Sequence, residues 1–127
     1  MSLFLEILKL SPVEKNNIDY DMVVFKIKTM KRIDVDNSKE FVIIFNTLNA
    51  GGGKKILIDC HDLEYIDSSG IGSIIAGAKQ IRKKGGDLII ANVTSDILSI
   101  FKVVNLHEFI KIFTTDGEAI NHFRVIV

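Results

Sequence analysis

Apolar residues along this chain follow two patterns in turn: short continuous runs, and stretches in which they recur every three or four positions. Leu3 to Leu10 is apolar on both faces and predicts an edge strand, with a helical turn as the alternative. The polar segment Ser11-Pro12-Val13-Glu14-Lys15-Asn16-Asn17 predicts a turn. Met22 to Lys28 is β-branched and aromatic, and predicts a strand. Phe41, Ile44, Phe45 and Leu48 then recur at helical spacing behind the capping residues of 34–38, so roughly 37 to 49 is predicted as an amphipathic helix ended by Gly51-Gly52-Gly53. Lys55 to Cys60 is a buried strand, and Ile71, Ile74, Ile75, Ala78 and Ile81 predict a helix over about 69–84, stopped by Gly85-Gly86. Leu88-Ile89-Ile90-Ala91 follows as another strand. Thr94 or Ser95 caps a helix carrying Ile97, Leu98, Phe101 and Val104. Phe109 to Phe113 reads as a fifth strand, and Asp116 opens a last helix with Ala119, Ile120 and Phe123.

The predicted order is β-β-α-β-α-β-α-β-α. Strands alternating with helices of this length imply a mostly parallel sheet of about five strands, right-handed crossovers and about four covering helices. The first two strands, joined without a helix, are expected to pair antiparallel at one side. No linker, repeat or low-complexity tract divides the chain, so 1–127 is read as one α/β domain.

Composition changes this picture little. With 127 residues, 47% hydrophobic and 25% charged, the chain has enough material for a core without disulfides or metals. Lysine plus arginine equals aspartate plus glutamate at 16 each, so no overall field draws nucleic acid or an acidic membrane. The single Cys60, inside an apolar strand, fits a reducing compartment. The apolar N-terminus carries Glu6 and Lys9 and lacks a basic leader and a small-residue cleavage pattern, and no apolar run approaches the roughly 20 residues of a membrane span. A soluble cytoplasmic protein is expected.

Candidate chemistry centres on Ile66-Asp67-Ser68-Ser69-Gly70-Ile71-Gly72, which joins a strand to a helix through two hydroxyls. One serine can cap the helix while the other stays exposed as a target for modification. A hydrolase would draw on Ser68 or Ser69 with His61, His107 or His122, but Ser69-Gly70-Ile71-Gly72 is not the elbow that pitches a nucleophile outward. Cys60, His61 and Asp62 are adjacent and point to alternate sides, which disfavours a metal site. Gly51-Gly52-Gly53-Lys54 precedes a strand rather than a helix, so it is read as a helix stop and not a phosphate loop. Gly70 and Gly72 are read as places where another backbone approaches the first helical turn. If Ile71, Ile74, Ile75 and Ala78 face inward, Ser69, Ser73, Ala76 and Gln80 form a small, uncharged outward stripe, suited to docking another protein.

Strand, Asp67-Ser68-Ser69-Gly70-Ile71-Gly72, helix, Gly85-Gly86, strand and a Thr94-initiated helix together resemble the STAS family, specifically bacterial anti-sigma factor antagonists, over about 20–123. Asn92-Val93-Thr94 through Phe101, then Asn105-Leu106 and Phe109-Ile110, is similar to that family's third helix and final strand. The resemblance implies that Ser68, directly after the aspartate, is phosphorylated by a partner anti-sigma factor that is itself a serine kinase. It implies that Asp34 lies at the partner surface, in the loop after the second strand. Asp67, Ser69, Gly70, Gly72, Ser73 and Ala76 are expected to bind the partner with it. The unphosphorylated form would hold the anti-sigma factor, and a metal-dependent serine/threonine phosphatase would reset the switch. No cofactor and no catalytic residue are expected. The alternatives are a STAS regulatory subunit of a lipid or anion transporter, and a small enzyme built on Ser68 and His61.

Overall fold

The computed structural model describes residues 3–10 and 22–125. The turn expected at 11–17 lies outside them. Strand β1 (Leu3–Leu10) pairs antiparallel with β2 (Met22–Thr29), as the sequence predicts. A two-residue strand β3 (Arg32–Ile33) leads into helix α1 (Ser38–Ala50), and β4 (Lys55–Asp59) follows. A second two-residue strand, β5 (Tyr65–Ile66), precedes helix α2 (Ser68–Lys83) and strand β6 (Asp87–Ala91). Helices α3 (Ser95–Val103) and α4 (Leu106–Phe109), strand β7 (Ile112–Phe113) and helix α5 (Asp116–Val125) complete the order.

The main sheet runs β1-β2-β4-β6-β7, with every pair after the first parallel. Strands buried on both faces explain the continuous apolar runs in β4 and β6. Ile56, Ile58, Leu88 and Ile90 point to one side, where they meet Phe41 and Phe45 of α1, Ile74, Ala78 and Ile81 of α2, and Ile97 and Phe101 of α3. Leu57, Ile89 and Ala91 point to the other side and pack with Val24 under Ala119 and Phe123 of α5. Two layers of helix thus enclose the sheet. α1 and α2 pack directly, because Gly77 has no side chain: a Cβ there would lie 2.3 Å from the Phe45 ring.

Two expectations need correction. Only Ile112–Phe113 of the predicted strand 109–113 pairs as a strand. Asn105, in the left-handed region at φ 59°, restarts the chain as α4, and the Ile110 N–H closes that turn on the Leu106 carbonyl at 2.8 Å. A short apolar run carries no period that separates a buried turn from a strand. Among the described residues the short α4 joins the roughly four helices expected, and a separate parallel pair, β3 with β5, was not expected. Two residues are too few to show alternation.

Candidate functional site

The site is the entry to α2. After β5 the chain stays extended at Asp67 (φ −107°, ψ −175°), and the helix begins at Ser68. The cap is Asp67, not a serine. Its Oδ1 accepts the Gly70 N–H at 3.0 Å, as an N-cap side chain does. Its Oδ2 accepts the Val35 N–H at 3.1 Å, from the loop between β3 and α1. Its own N–H donates to the Ile33 carbonyl at 3.1 Å. Asp67 is therefore a joint that fixes the β3–α1 loop against the helix start, and both of its oxygens are occupied by backbone donors.

That joint leaves the hydroxyls free of the capping duty assigned to them. Ser68, at the first helical position, is exposed, and Ser69 is half-buried. Gly72 and Ala76 follow Ser68 at four-residue intervals on the same face and are exposed. Space around Gly72 is open, with nothing within 4 Å of a Cβ built there. Val35 (63% exposed) and Tyr65 (42% exposed) add apolar surface beside this entry. Two residues expected to bind the partner, Gly70 and Ser73, are buried instead. Gly70 sits against Ile33 and Ile66, and Ser73 turns inward to donate its hydroxyl to the Gly70 carbonyl at 2.7 Å. The buried side of α2 is consequently rotated towards Gly70, Ser73 and Gly77, leaving Ile71 and Ile75 half-buried. Three small residues there admit the closest neighbours, a packing that hydrophobicity alone does not register.

Asp34 lies in the adjoining loop, next to Val35. Its carbonyl accepts the Asn37 and Ser38 N–H groups at 3.2 and 2.8 Å, and its Oδ1 accepts the Asp36 N–H at 3.0 Å. Its Oδ2 faces Arg32 Nε at 3.3 Å, and the Arg32 guanidinium stacks over the Tyr65 ring at 4.1 Å. The structure brings Asp34, Asp67 and Ser68 to one corner, with Arg32 supplying a compensating positive charge there.

The histidine of the hydrolase reading is elsewhere occupied. His61 is exposed, with Nε2 4.0 Å from Asp62 Oδ1, and among the described residues no hydrogen bond joins it to either serine. Among the described residues no three His, Cys, Asp or Glu side chains gather as metal ligands. Cys60 is fully buried, and burial together with the nearby Asp59 carboxylate pushes its thiol well above the ordinary range. Iodoacetamide at pH 8 is expected to leave Cys60 unmodified in the folded protein and to alkylate it fully in concentrated urea, as read by intact mass. Rapid labelling without denaturant would contradict its placement.

A second polar cluster was missed by the sequence reading. Lys26, on β2, hydrogen-bonds Asp116 at the start of α5 and lies 3.6 Å from Asp59 Oδ2 at the end of β4. Asn92, at φ 64°, donates to both carboxylates, and the His61 N–H also reaches Asp59. The available signal was a lysine set between Phe25 and Ile27, in the apolar part of the strand.

Comparison with known proteins now bears on this geometry. The family model of the STAS domain matches residues 13–119. A Thermotoga maritima protein, provisionally named an anti-sigma factor antagonist, is 27% identical over 95 residues, which is 74% of this chain and 84% of that one. The crystal structure of a Thermotoga maritima protein of the same description superposes with a TM-score of 0.75 at 26% identity, covering 80% of this chain and 87% of that one. The anti-sigma-B factor antagonist of Listeria monocytogenes is 26% identical over 66 residues, 52% of this chain and 58% of its own length. SpoIIAA, an anti-sigma factor antagonist solved in its unphosphorylated form, shares the fold with a TM-score of 0.64 at 17% identity, over 95% of this chain and 98% of that one. A Bacillus cell fate determinant, SpoIIAA in the phosphorylated form, gives 0.65 at 17% identity over 95% and 100%. Among the described residues no helix is long and apolar enough to cross a membrane. With the family model spanning most of its length and the α2 entry built as described, the chain belongs to the STAS domain family.

Proposed function

We propose that this chain, as a single STAS domain over 1–127, is a cytoplasmic anti-sigma factor antagonist that works by partner switching rather than catalysis. Unphosphorylated, it binds an anti-sigma factor serine kinase through the α2 entry. Phosphorylation of Ser68 releases that kinase, and a metal-dependent serine/threonine phosphatase restores the binding form. The observation that carries this reading is the exposed Ser68 at the first position of α2, held in place by a cap that does not involve its hydroxyl. The names of the Thermotoga and Listeria relatives support it.

The chemistry is consistent with a switch that leaves the fold alone. A phosphoserine brings about −1.5 to −2 charges at neutral pH, and a helix N-terminus tolerates them through its free N–H groups and dipole. On a surface of Gly72, Ala76 and Val35, the same charge obstructs close apolar contact. Asp34 and Asp67 line that surface, with Asp67 fixing the loop rather than meeting the partner first.

The test uses the kinase-type anti-sigma factor of the same organism. With ATP, a single phosphoryl group is expected at Ser68 by peptide mass mapping, and none on Ser68→Ala. In pull-downs, Ser68→Ala is expected to capture the kinase as the unmodified protein does, and Ser68→Asp to capture it on the order of tenfold less. Equal capture by both variants, or phosphate on another residue, would overturn the proposal.

A further inference from the structure

A groove of about 690 Å³ opens between α3 and the edge of the main sheet, away from the residues assigned to the switch. Its floor is apolar. Val93 lines it from the loop before α3, Leu98 from α3, and Ile112 and Phe113 from β7, all four only half-buried. β7 is the last strand in the sheet order and only two residues long, so among the described residues no further strand of the sheet covers this side.

The rim carries two positive charges. Lys102 of α3 and Lys111 before β7 line the groove beside the His107 ring of α4, and no carboxylate does. Among the described residues neither lysine is in an ion pair. In a chain whose lysines and arginines balance its aspartates and glutamates, one-sided charge over an apolar floor is a local arrangement and not an overall excess. Ser95 and Thr114 add hydroxyls at the edge.

The volume suits a small organic ligand and far exceeds that of a lone inorganic anion. A wholly apolar ligand would leave the lysines without a counter-charge, and a small anion would leave the floor wet. We infer that this groove binds an amphipathic monoanion: an apolar chain or ring lying on Val93, Leu98, Ile112 and Phe113, with a carboxylate or phosphate against Lys102 and Lys111. The inference does not depend on the role of Ser68.

The probe is decanoate at up to about 1 mM, a range that detects affinities weaker than drug-like ones, followed by amide shifts in ¹H–¹⁵N spectra. Saturable shifts are expected at Leu98, Ile112 and Phe113. Lys102→Glu with Lys111→Glu alters two exposed side chains, and an unchanged melting temperature verifies the fold. That double variant is expected to bind decanoate about tenfold or more weakly, since both counter-charges are reversed. Decanol is expected to lose affinity similarly and acetate not to bind. Decyl phosphate against decanoate then distinguishes which head group is preferred. Absence of shifts in the groove, equal affinity in the double variant, or unsaturable shifts centred on the exposed Val103 and Val104 at the end of α3 would each overturn the inference.

Discussion

Replacing Lys26 with methionine is expected to destabilise the fold by about 3–5 kcal/mol, the range for removing one partner of a buried ion pair. The Lys26 side chain is only 11% exposed and that of Asp59 only 5%. Methionine fills the same stem but leaves Asp59 held by neutral donors alone, Asn92 and the His61 N–H. It also takes from Asp116, in the first turn of α5, its tie to β2, leaving the Asn92 donor to hold that carboxylate. Against a typical total stability of about 5–15 kcal/mol, this is a large fraction. The double variant Lys26→Met with Asp59→Asn removes the stranded charge and is expected to recover part of the loss. Urea denaturation of the three proteins measures it. A Lys26→Met midpoint equal to that of the parent would show that the cluster contributes nothing.

The pH dependence has a definite sign. Burial on its own pulls the Lys26 ammonium down, but the hydrogen bond and charge of Asp116, with Asp59 and Glu6, more than offset it and hold the group above 10.5. A raised lysine contributes its stability fully below its unfolded value and loses it as pH climbs through the folded one. The gap between parent and Lys26→Met is therefore expected to stay constant from about pH 7 to 9 and to narrow only above about 10.5.

How far the sequence foretells this structure depends on period and length. β4, β6, α1, α2, α3 and α5 are long enough for apolar spacing to identify them, and each stands within a few residues of its predicted bounds. β3, β5 and β7 are two residues each, and α4 is a single turn; their conformation is set by what they pack on. At the site, an exposed serine at the helix start was legible because the strand-to-helix junction is local, and the family resemblance pointed to Ser68. The direction of Ser73 was not, because glycines at 70 and 77 let β3, β5 and α1 come close and thereby rotate the buried side of α2. Asp67 reads in sequence as an acidic neighbour of Ser68. Only the arrival of the Val35 N–H, 32 residues away along the chain, makes it a joint.

Gly70→Ala and Gly72→Ala, two residues apart on one helix, are expected to shift stability in opposite directions. A Cβ on Gly70 would lie 2.7 Å from Ile33 Cγ2 and from Ile66 Cγ1, and 2.8 Å from the Ile33 carbonyl oxygen. The side chains can give, but the carbonyl is backbone and already accepts the Asp67 N–H. Relieving the clash pushes the β3–β5 pair off α2 and strains the Asp67 joint, at about 2–3 kcal/mol for overpacking against backbone. Gly72 has open space, so alanine there only restricts the unfolded chain and favours the helix, a gain of about 0.5–1 kcal/mol. Thermal melts separate the two signs; destabilisation by both, or by neither, would contradict the packing. Kinase capture separates them a second way. Gly70→Ala is expected to lose binding through a displaced Val35 loop, and that loss should accompany its lower melting point. Gly72→Ala is expected to weaken capture while the protein becomes more stable, because its methyl stands on the face next to Ser68. A more stable protein that binds less well can be explained only by a surface contact, so this variant distinguishes the docking face from the scaffold beneath it.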